Sequence, residues 1–327
     1  MNNLKKVGLT ALAGSLAVFS VAQADLVLSG SAEATYTTSD ITNTGNGFGL
    51  SNDFTLTGTG EMDNGFTYTA HTNFAGQDMG TDSNYLKVDM GAMGTVSLDQ
   101  GSEQAGISKM VNFGNPSAYE EAGHGVSTLG DKLDNNWSGA IGYNNTMMGV
   151  TVSIEVNPTT AGASKQAGGF TGAGATASNA NYSLKYVVDG VDGLSVMFGQ
   201  SQTASKVAGV ADNDEMSAGV RYSQGDYTVG LQRTTQQDGT AGANGYEVTQ
   251  YGISYNVNEN LSVSYNAQDV VVDKPSSTNV TEESEGVSAA YSMGSASVRF
   301  SYNEAKNVGG VTGVKDDSTE LSLSLAF

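Results

Sequence analysis

The segment LSLSLAF, residues 321–327, alternates strictly between large apolar side chains at odd positions and small side chains at even positions. Successive side chains of a β-strand point to opposite faces, so this segment predicts a strand with one apolar face. The same period recurs in VTVSIEVN, residues 150–157, and in LSVSYNA, residues 261–267. Sixteen segments of this kind can be read between residues 26 and 327, which is an even number of strands.

The connections between these segments alternate in length. Short turns, such as 62–65 and 91–94, interleave with longer polar stretches, such as 157–179 and 303–318. Short turns on one rim and long loops on the other are expected of a barrel that is threaded through a single membrane. All three prolines fall in or at the edges of the predicted connections, so no strand pairing is interrupted.

The composition is too polar for helical membrane spans. Hydrophobic residues make up 38% of the chain, and beyond the first 24 residues no apolar run is long enough to cross a bilayer as a helix. A closed barrel also satisfies every backbone polar group in lipid, and its one-sided strands keep the average hydropathy low. The net charge of -20 disfavours nucleic acid as a partner, and the absence of cysteine excludes disulfides and thiolate metal sites.

Residues 1–24 are typical of a cleaved signal peptide. Lys5 and Lys6 precede an uncharged apolar core, and AQA at 22–24 is a small-x-small cleavage site. The apolar core is shorter than the ~20 residues that a spanning helix needs, which disfavours a signal anchor. We therefore expect export, with residues 25–327 forming a single all-β domain.

A soluble, secreted β-sandwich or β-solenoid would also show alternating side chains. A solenoid, however, would repeat with a period of 20 to 50 residues, and the chain has no such self-similarity. The regular exchange of long and short connections also favours the membrane barrel over the soluble alternatives.

The terminal segment 321–327, whose last residue is a phenylalanine, resembles the last strand of the general diffusion porins of Gram-negative bacteria. The opening LVLSGSAE, residues 26–33, is similar to that family as well, particularly to its alphaproteobacterial members, and the resemblance covers all of 25–327. It implies a 16-stranded antiparallel transmembrane β-barrel that forms homotrimers, with the third long loop folded into the lumen as a constriction. It also implies contact with outer-membrane lipids and lipopolysaccharide. The barrel assembly machinery would recognise the last strand through Leu323, Leu325 and Phe327.

The longest break in the alternation lies between Leu98 and Trp137, after the fifth strand, where the family has its constriction loop. A structureless stretch of this length is rare in a compact domain unless it is functional. We assign the loop to about 101–135. Its acidic residues outnumber Lys109 and Lys132, and they are Glu103, Glu120, Glu121, Asp131 and Asp134.

Strand parity identifies charges that face the lumen, because a charge on the lipid face costs ~2 to 4 kcal/mol at the membrane midplane. Four bases lie between outward apolar neighbours and therefore point inward, namely Lys87, Lys185, Arg221 and Arg299. The same parity turns four acids inward, namely Glu33, Asp89, Asp99 and Glu155. A basic wall facing an acidic loop would create a field across the opening, and excess carboxylate favours cations. The alternative is that the bases only keep a wet wall hydrated and the loop acids lie on a solvated surface.

These observations predict a water-filled channel in the outer membrane for the passive diffusion of small hydrophilic solutes and ions, with weak cation selectivity. A substrate-specific channel on the same barrel is an alternative, although parity directs nearly all aromatic side chains outward. An outer-membrane hydrolase is less favoured. It would need a catalytic base, and His71 and His124 are not part of any hydrolase or zinc motif.

We therefore expect no enzymatic activity, no cofactor and no metal centre. One exception is left open, which is calcium bound on the outer rim by neighbouring carboxylates. Candidate pairs are Asp212 with Asp214 and Asp316 with Asp317.

Overall fold

The computed structural model describes residues 25–39, 46–76, 80–100, 104–133, 138–158, 178–205 and 210–327. Within these ranges the chain forms sixteen strands that close into one antiparallel barrel, each strand pairing with its neighbours in sequence. The strands are β1 Asp25–Ser39, β2 Phe48–Glu61, β3 Thr67–Ala75, β4 Gly80–Asp89, β5 Thr95–Gln100, β6 Ser138–Met147, β7 Val150–Asn157, β8 Asn179–Val187, β9 Leu194–Thr203, β10 Asn213–Gln224, β11 Tyr227–Gln237, β12 Gly245–Asn256, β13 Leu261–Asp273, β14 Val280–Met293, β15 Ala296–Lys306 and β16 Lys315–Ala326.

This architecture confirms the predicted strand number, and each predicted segment lies within or overlaps one strand. The predicted signal peptide at 1–24 lies outside the described residues. Within the described ranges, no helix is long and apolar enough to cross a membrane.

The barrel closes between its first and last strands. The N–H of Gly30 donates to the carbonyl of Phe327 at 2.8 Å, and the N–H of Phe327 donates back at 2.9 Å. The register continues with Ala32 opposite Leu325 and Ala34 opposite Leu323. Because β1 also pairs with β2, no strand edge is left open in the sheet.

The two faces of the barrel differ sharply in polarity. On β16, Leu321, Leu323 and Leu325 are 50%, 43% and 45% exposed, whereas Ser322 between them is only 1% exposed. Large apolar side chains on the other strands are exposed in the same way, as expected of a surface that faces lipid. The polar interior explains why the average hydropathy of the sequence is low.

The long loop after β5 lies inside the barrel, as the resemblance implied. It contains a 3-10 helix at Gly106–Met110, and its apolar side chains pack against the wall in a small cluster of Ile107, Met110, Phe113, Leu133 and Met197. This cluster and a second one of Val126, Ala305 and Val308 form the apolar core of the described part of the molecule, because most large apolar side chains of the barrel lie outside.

Glycines in the wall make room for this loop. A Cβ atom on Gly219 would lie 2.7 Å from Cδ1 of Phe113, and one on Gly230 would lie 2.6 Å from the carbonyl oxygen of Gly114. Both glycines occupy inward positions between outward apolar residues. Their missing side chains allow the loop to approach the backbone of β10 and β11 closely.

Candidate pore constriction

The first part of the loop is held by polar side chains of β7 and β8. The N–H of Gly106 donates to Oγ of Ser153 at 2.7 Å, and the N–H of Ile107 donates to Oδ1 of Asn181 at 2.8 Å. Ser183 completes the contact by donating to the carbonyl of Gly106 at 2.7 Å. Small and amide side chains on the inner wall therefore satisfy backbone groups that the loop could not pair internally.

Arg221 on β10 holds the middle of the loop. Its Nε donates to the carbonyl of Phe113 at 2.7 Å, and its Nη2 donates to the carbonyl of Asn112. On the next strand, Gln232 accepts the N–H of Gly114 at 2.9 Å. A guanidinium that binds two adjacent carbonyls fixes the position and the direction of the chain at this point.

The loop then crosses the inner surface of β13 to β15. Asn266 donates to the carbonyl of Pro116 at 2.6 Å, and Ser264 accepts the N–H of Ala118 at 3.0 Å. Further along, Asn303 donates to the carbonyl of His124 at 3.2 Å. The described part of the loop thus follows the wall from β7 to β15.

The burial of wall side chains shows where water has access. Inward-facing residues under the loop are buried, among them Ser97, Ser153, Glu155, Ser183, Gln232, Gln250, Asn266, Gln268 and Ser301. Inward-facing residues on β2 to β4 are only half-buried, namely Thr55, Thr57, Thr69, His71, Asn73, Tyr85 and Lys87. The water-exposed passage therefore runs between the loop and the wall formed by β1 to β4.

The four predicted wall bases have different surroundings. Lys87 lies on the exposed wall, with Nζ 5.9 Å from the ring centroid of Tyr85. Arg299 forms an ion pair with Glu33 and lies 4.4 Å above the ring of Tyr119. Arg221 binds the loop backbone, and Lys185 lies beside it, 5.8 Å from the ring of Phe113. The structure thus brings Arg221 and Lys185 together beneath the loop, apart from Lys87.

Three of the predicted loop acids can be placed. Glu120 and Glu121 are half-buried in the middle of the loop, and burial raises the pKa of the Glu120 carboxyl. Burial also raises the pKa of Asp131, whose Oδ1 accepts the N–H of Leu133 at 3.1 Å. Glu103 and Asp134 lie outside the described residues.

The wall acids predicted by parity are divided between the wall beneath the loop and the wall outside it. Asp99 and Glu155 are 2% exposed beneath the loop, where Asp99 accepts the N–H of Gln104 at 2.6 Å. Glu33 borders the passage and binds Arg299. Asp89 lies at the end of β4 next to a turn, where its carboxylate accepts the N–H of Gly91 at 2.8 Å.

Four further inward acids were not singled out from the sequence, namely Asp53, Glu215, Glu282 and Glu320. The strand period could have identified them, since Glu320 precedes the outward Leu321 and is only 8% exposed. Asp316 also faces inward, where Ser39 donates to it at 3.2 Å, while the adjacent Asp317 points to the opposite face of β16. This pair therefore does not present its carboxylates on one side, as a shared calcium ion would require.

His124 lies between the carboxylates of Glu120 and Glu320. Its Nδ1 is 3.2 Å from Glu120, four residues earlier in the loop, and its Nε2 is 3.5 Å from Glu320 on β16. The hydrogen bond to Glu320 raises the pKa of the His124 imidazole more than burial lowers it, and the charge of Glu120 raises it further. Glu320 also accepts hydrogen bonds from Tyr119 of the loop and Thr37 of β1, so several side chains join the loop to the wall here.

The second histidine belongs to the exposed wall. Nδ1 of His71 lies 3.2 Å from Oγ1 of Thr57, and its ring stacks on Tyr85 with 4.6 Å between centroids and 11° between planes. Tyr85 precedes the outward Leu86, so strand parity could have shown that this aromatic ring faces the lumen.

A closed barrel with an apolar outer face, a polar inner face and a long loop along its inner wall is the architecture of an outer-membrane channel protein. The family model for Gram-negative porins matches residues 8–327. The chain belongs to this family, and it is accordingly a protein of the outer membrane.

Solved porin structures share the fold at low sequence identity. OmpF from Salmonella typhi, in complex with daunomycin, has a TM-score of 0.73 at 13% identity over 92% of this chain and 97% of that one. The anion-selective porin from Comamonas acidovorans has a TM-score of 0.66 at 16% identity over 93% and 100%. OmpT from Vibrio cholerae, in its trimer form, has a TM-score of 0.66 at 12% identity over 93% and 99%. A comparison with curated protein sequences gives no match.

Proposed function

We propose that this porin allows small hydrophilic solutes and ions to diffuse passively across the outer membrane, with a weak preference for cations. The observation that carries the proposal is the water-exposed passage between the loop at 104–133 and the wall of β1 to β4. Polar groups line this passage, and the bonds from the loop backbone to the wall hold its width constant. A fixed, wet opening selects solutes by size and charge rather than by binding.

The charges beside the passage support the preference for cations. Glu33 and Arg299 offset each other as an ion pair, which leaves the carboxylates of Asp53, Glu120 and Glu121 beside one base of the facing wall, Lys87. Excess negative lining attracts cations and repels anions. Lys87 on the wall and the carboxylates of the loop would also give the transverse field expected from the sequence.

The zero-current potential of single channels in a planar bilayer with a KCl gradient tests this proposal. We expect stepwise conductance increments and a potential whose sign corresponds to higher permeability for potassium than for chloride. A preference for chloride would refute the cation selectivity, and an absence of conductance by folded protein would refute the channel itself.

We further propose that the porin functions as a homotrimer and that residues 1–24 are removed on export. The trimer form of the Vibrio cholerae relative and the apolar outer surface of the barrel support association of copies within the membrane. Outer-membrane lipids, lipopolysaccharide and the barrel assembly machinery are the expected partners. Phe327, which is 68% exposed, is accessible for recognition together with Leu323 and Leu325.

One observation favours a substrate-specific channel as a second candidate, because His71 and Tyr85 present a stacked pair of rings to the lumen. Such a pair could bind the apolar face of a sugar. Liposome swelling rates for a sugar and an amino acid of similar mass distinguish the two functions. Equal rates support general diffusion, whereas faster sugar entry that is lost in Tyr85→Ala supports specificity. We expect no hydrolytic activity toward ester or peptide substrates.

A further inference from the structure

Three ionisable side chains meet where the loop approaches β16, namely Glu120, His124 and Glu320. One donor atom from each lies within 4.8 Å of the donor atoms of the other two. Two ligands of a tetrahedral zinc ion are about 3.4 Å apart, given metal to ligand distances near 2.1 Å. Nδ1 of His124 lies 3.2 Å from Glu120 and Nε2 lies 3.5 Å from Glu320, both close to this value, but the two nitrogens point in different directions and only one of them can bind a given ion. The second carboxylate would therefore turn toward that nitrogen, within the 4.8 Å that already spans the three donor atoms, to bring all three ligands onto one ion.

We infer that Glu120, His124 and Glu320 form a binding site for a divalent transition metal ion such as Zn²⁺, which joins the loop to the barrel wall. An imidazole with two carboxylates is a donor set that zinc accepts. Calcium and magnesium prefer oxygen ligands alone and gain little from a histidine. Among divalent ions of the first transition series, affinity for such sites rises from manganese to copper, and zinc binds less tightly than copper.

The surroundings of the three residues support a formed site. Thr37 donates to Oε2 of Glu320 at 3.0 Å, and Tyr119 donates to Oε1 of the same carboxylate. Asn303 holds the backbone of His124 through its carbonyl oxygen. Hydrogen bonds of this kind orient the ligands of protein metal sites and contribute to affinity.

The site is also open to the lumen. The side chains of His124 and Glu120 are 37% and 23% exposed, while that of Glu320 is 10% exposed. An ion in the passage can therefore bind Glu120 and His124 of the loop first and then Glu320 of the wall. Three protein ligands leave a fourth position for water.

Titration of the folded wild-type protein with ZnCl₂, followed by calorimetry in detergent, tests the inference. We expect one zinc site per chain, with zinc bound more tightly than calcium. His124→Gln should weaken zinc binding at least tenfold, since even the loss of an outer hydrogen-bond partner costs ~10 to 100-fold. His71→Gln is the matched control, because His71 lies beside Thr57 and Tyr85 on the wall of β2 to β4. The zinc affinity of this variant should equal that of the wild type.

A second measurement avoids any dependence on the folding of His124→Gln. Pulsed electron paramagnetic resonance of the Cu²⁺-loaded wild-type protein should detect the nitrogen of one coordinated imidazole, and His71→Gln should retain this coupling. Unchanged zinc affinity in His124→Gln, absence of the nitrogen coupling, or equal affinity for calcium and zinc in the wild type would overturn the inference. None of these measurements requires conduction, so the result is independent of the proposed channel function.

Discussion

The ring of Phe327, the last residue of the chain, lies against the backbone of Gly30 on the outer face of the barrel. A Cβ atom at Gly30 would be 2.6 Å from Cε2 of Phe327 and 3.0 Å from the carbonyl oxygen of Asp53. The same two residues exchange the backbone hydrogen bonds that close the barrel. Phe327 also meets Phe54 edge to face, with 5.7 Å between ring centroids. The closure of the sheet therefore depends on the small size of Gly30.

We predict that Gly30→Val destabilises the barrel by about 1 to 3 kcal/mol, as overpacking commonly does. Gly58→Val is the matched control, because Gly58 is also on the outer face and a Cβ there would meet no atom within 4 Å. Urea unfolding in lipid vesicles measures the free energy of unfolding of both variants. Equal loss of stability in the two variants would show that the contact with Phe327 is not the cause.

The close packing of Phe113 of the loop against Gly219 of β10 leads to a second prediction. Gly219→Val would place a side chain into the position of Phe113 and push the loop toward the passage, so the single-channel conductance should fall. Ala218→Val, one residue earlier and facing outward, adds similar bulk without touching the loop. If Gly219→Val conducts like the wild type, Phe113 is not held in place by the wall glycine.

Arg221 should contribute more to stability than the equally charged Arg233. Arg221→Met removes two charge-assisted bonds to loop carbonyls, for which we expect a loss of about 1.5 to 3 kcal/mol. Arg233 forms an exposed ion pair with Glu247, so Arg233→Met should cost about 1 kcal/mol or less. Chemical unfolding in vesicles measures the difference, and a smaller loss for Arg221→Met would contradict its anchoring role.

Lys87 is predicted to reduce the preference for cations. One unit charge about 8 Å from a passing ion in water changes the energy of that ion by about 0.5 kcal/mol, with opposite sign for potassium and chloride, so at low ionic strength Lys87→Gln should raise the ratio of potassium to chloride permeability about sixfold. Lys306→Gln, which removes the same charge from the exposed outer face, should leave the ratio unchanged. Reversal potentials in a salt gradient measure both variants, and equal shifts would assign the effect to net charge alone.

The strands were predictable because a membrane barrel imposes the same two-residue period on every segment. This period directs Lys87 and Glu33 inward, and it directs Tyr85 and Glu320 inward as well, although neither of the last two was singled out. The path of the loop was not predictable, since it depends on contacts between residues far apart in the chain, such as Arg221 with Phe113. The different surroundings of Lys87, beside Tyr85, and of Arg221, bound to the loop backbone, follow from that path.

The wall holds the loop mainly through the loop backbone, at Gly106, Ile107, Phe113, Gly114 and Ala118. The partners are wall side chains, and Ile107, Met110 and Phe113 also pack against the wall, whereas an exposed loop side chain such as Val111 takes no part in these bonds. Substitutions that alter the charge or size of such side chains can accumulate without releasing the loop. The barrel thus allows permeability to diverge among descendants of one ancestor while the scaffold stays the same, and it offers protein engineers the same freedom.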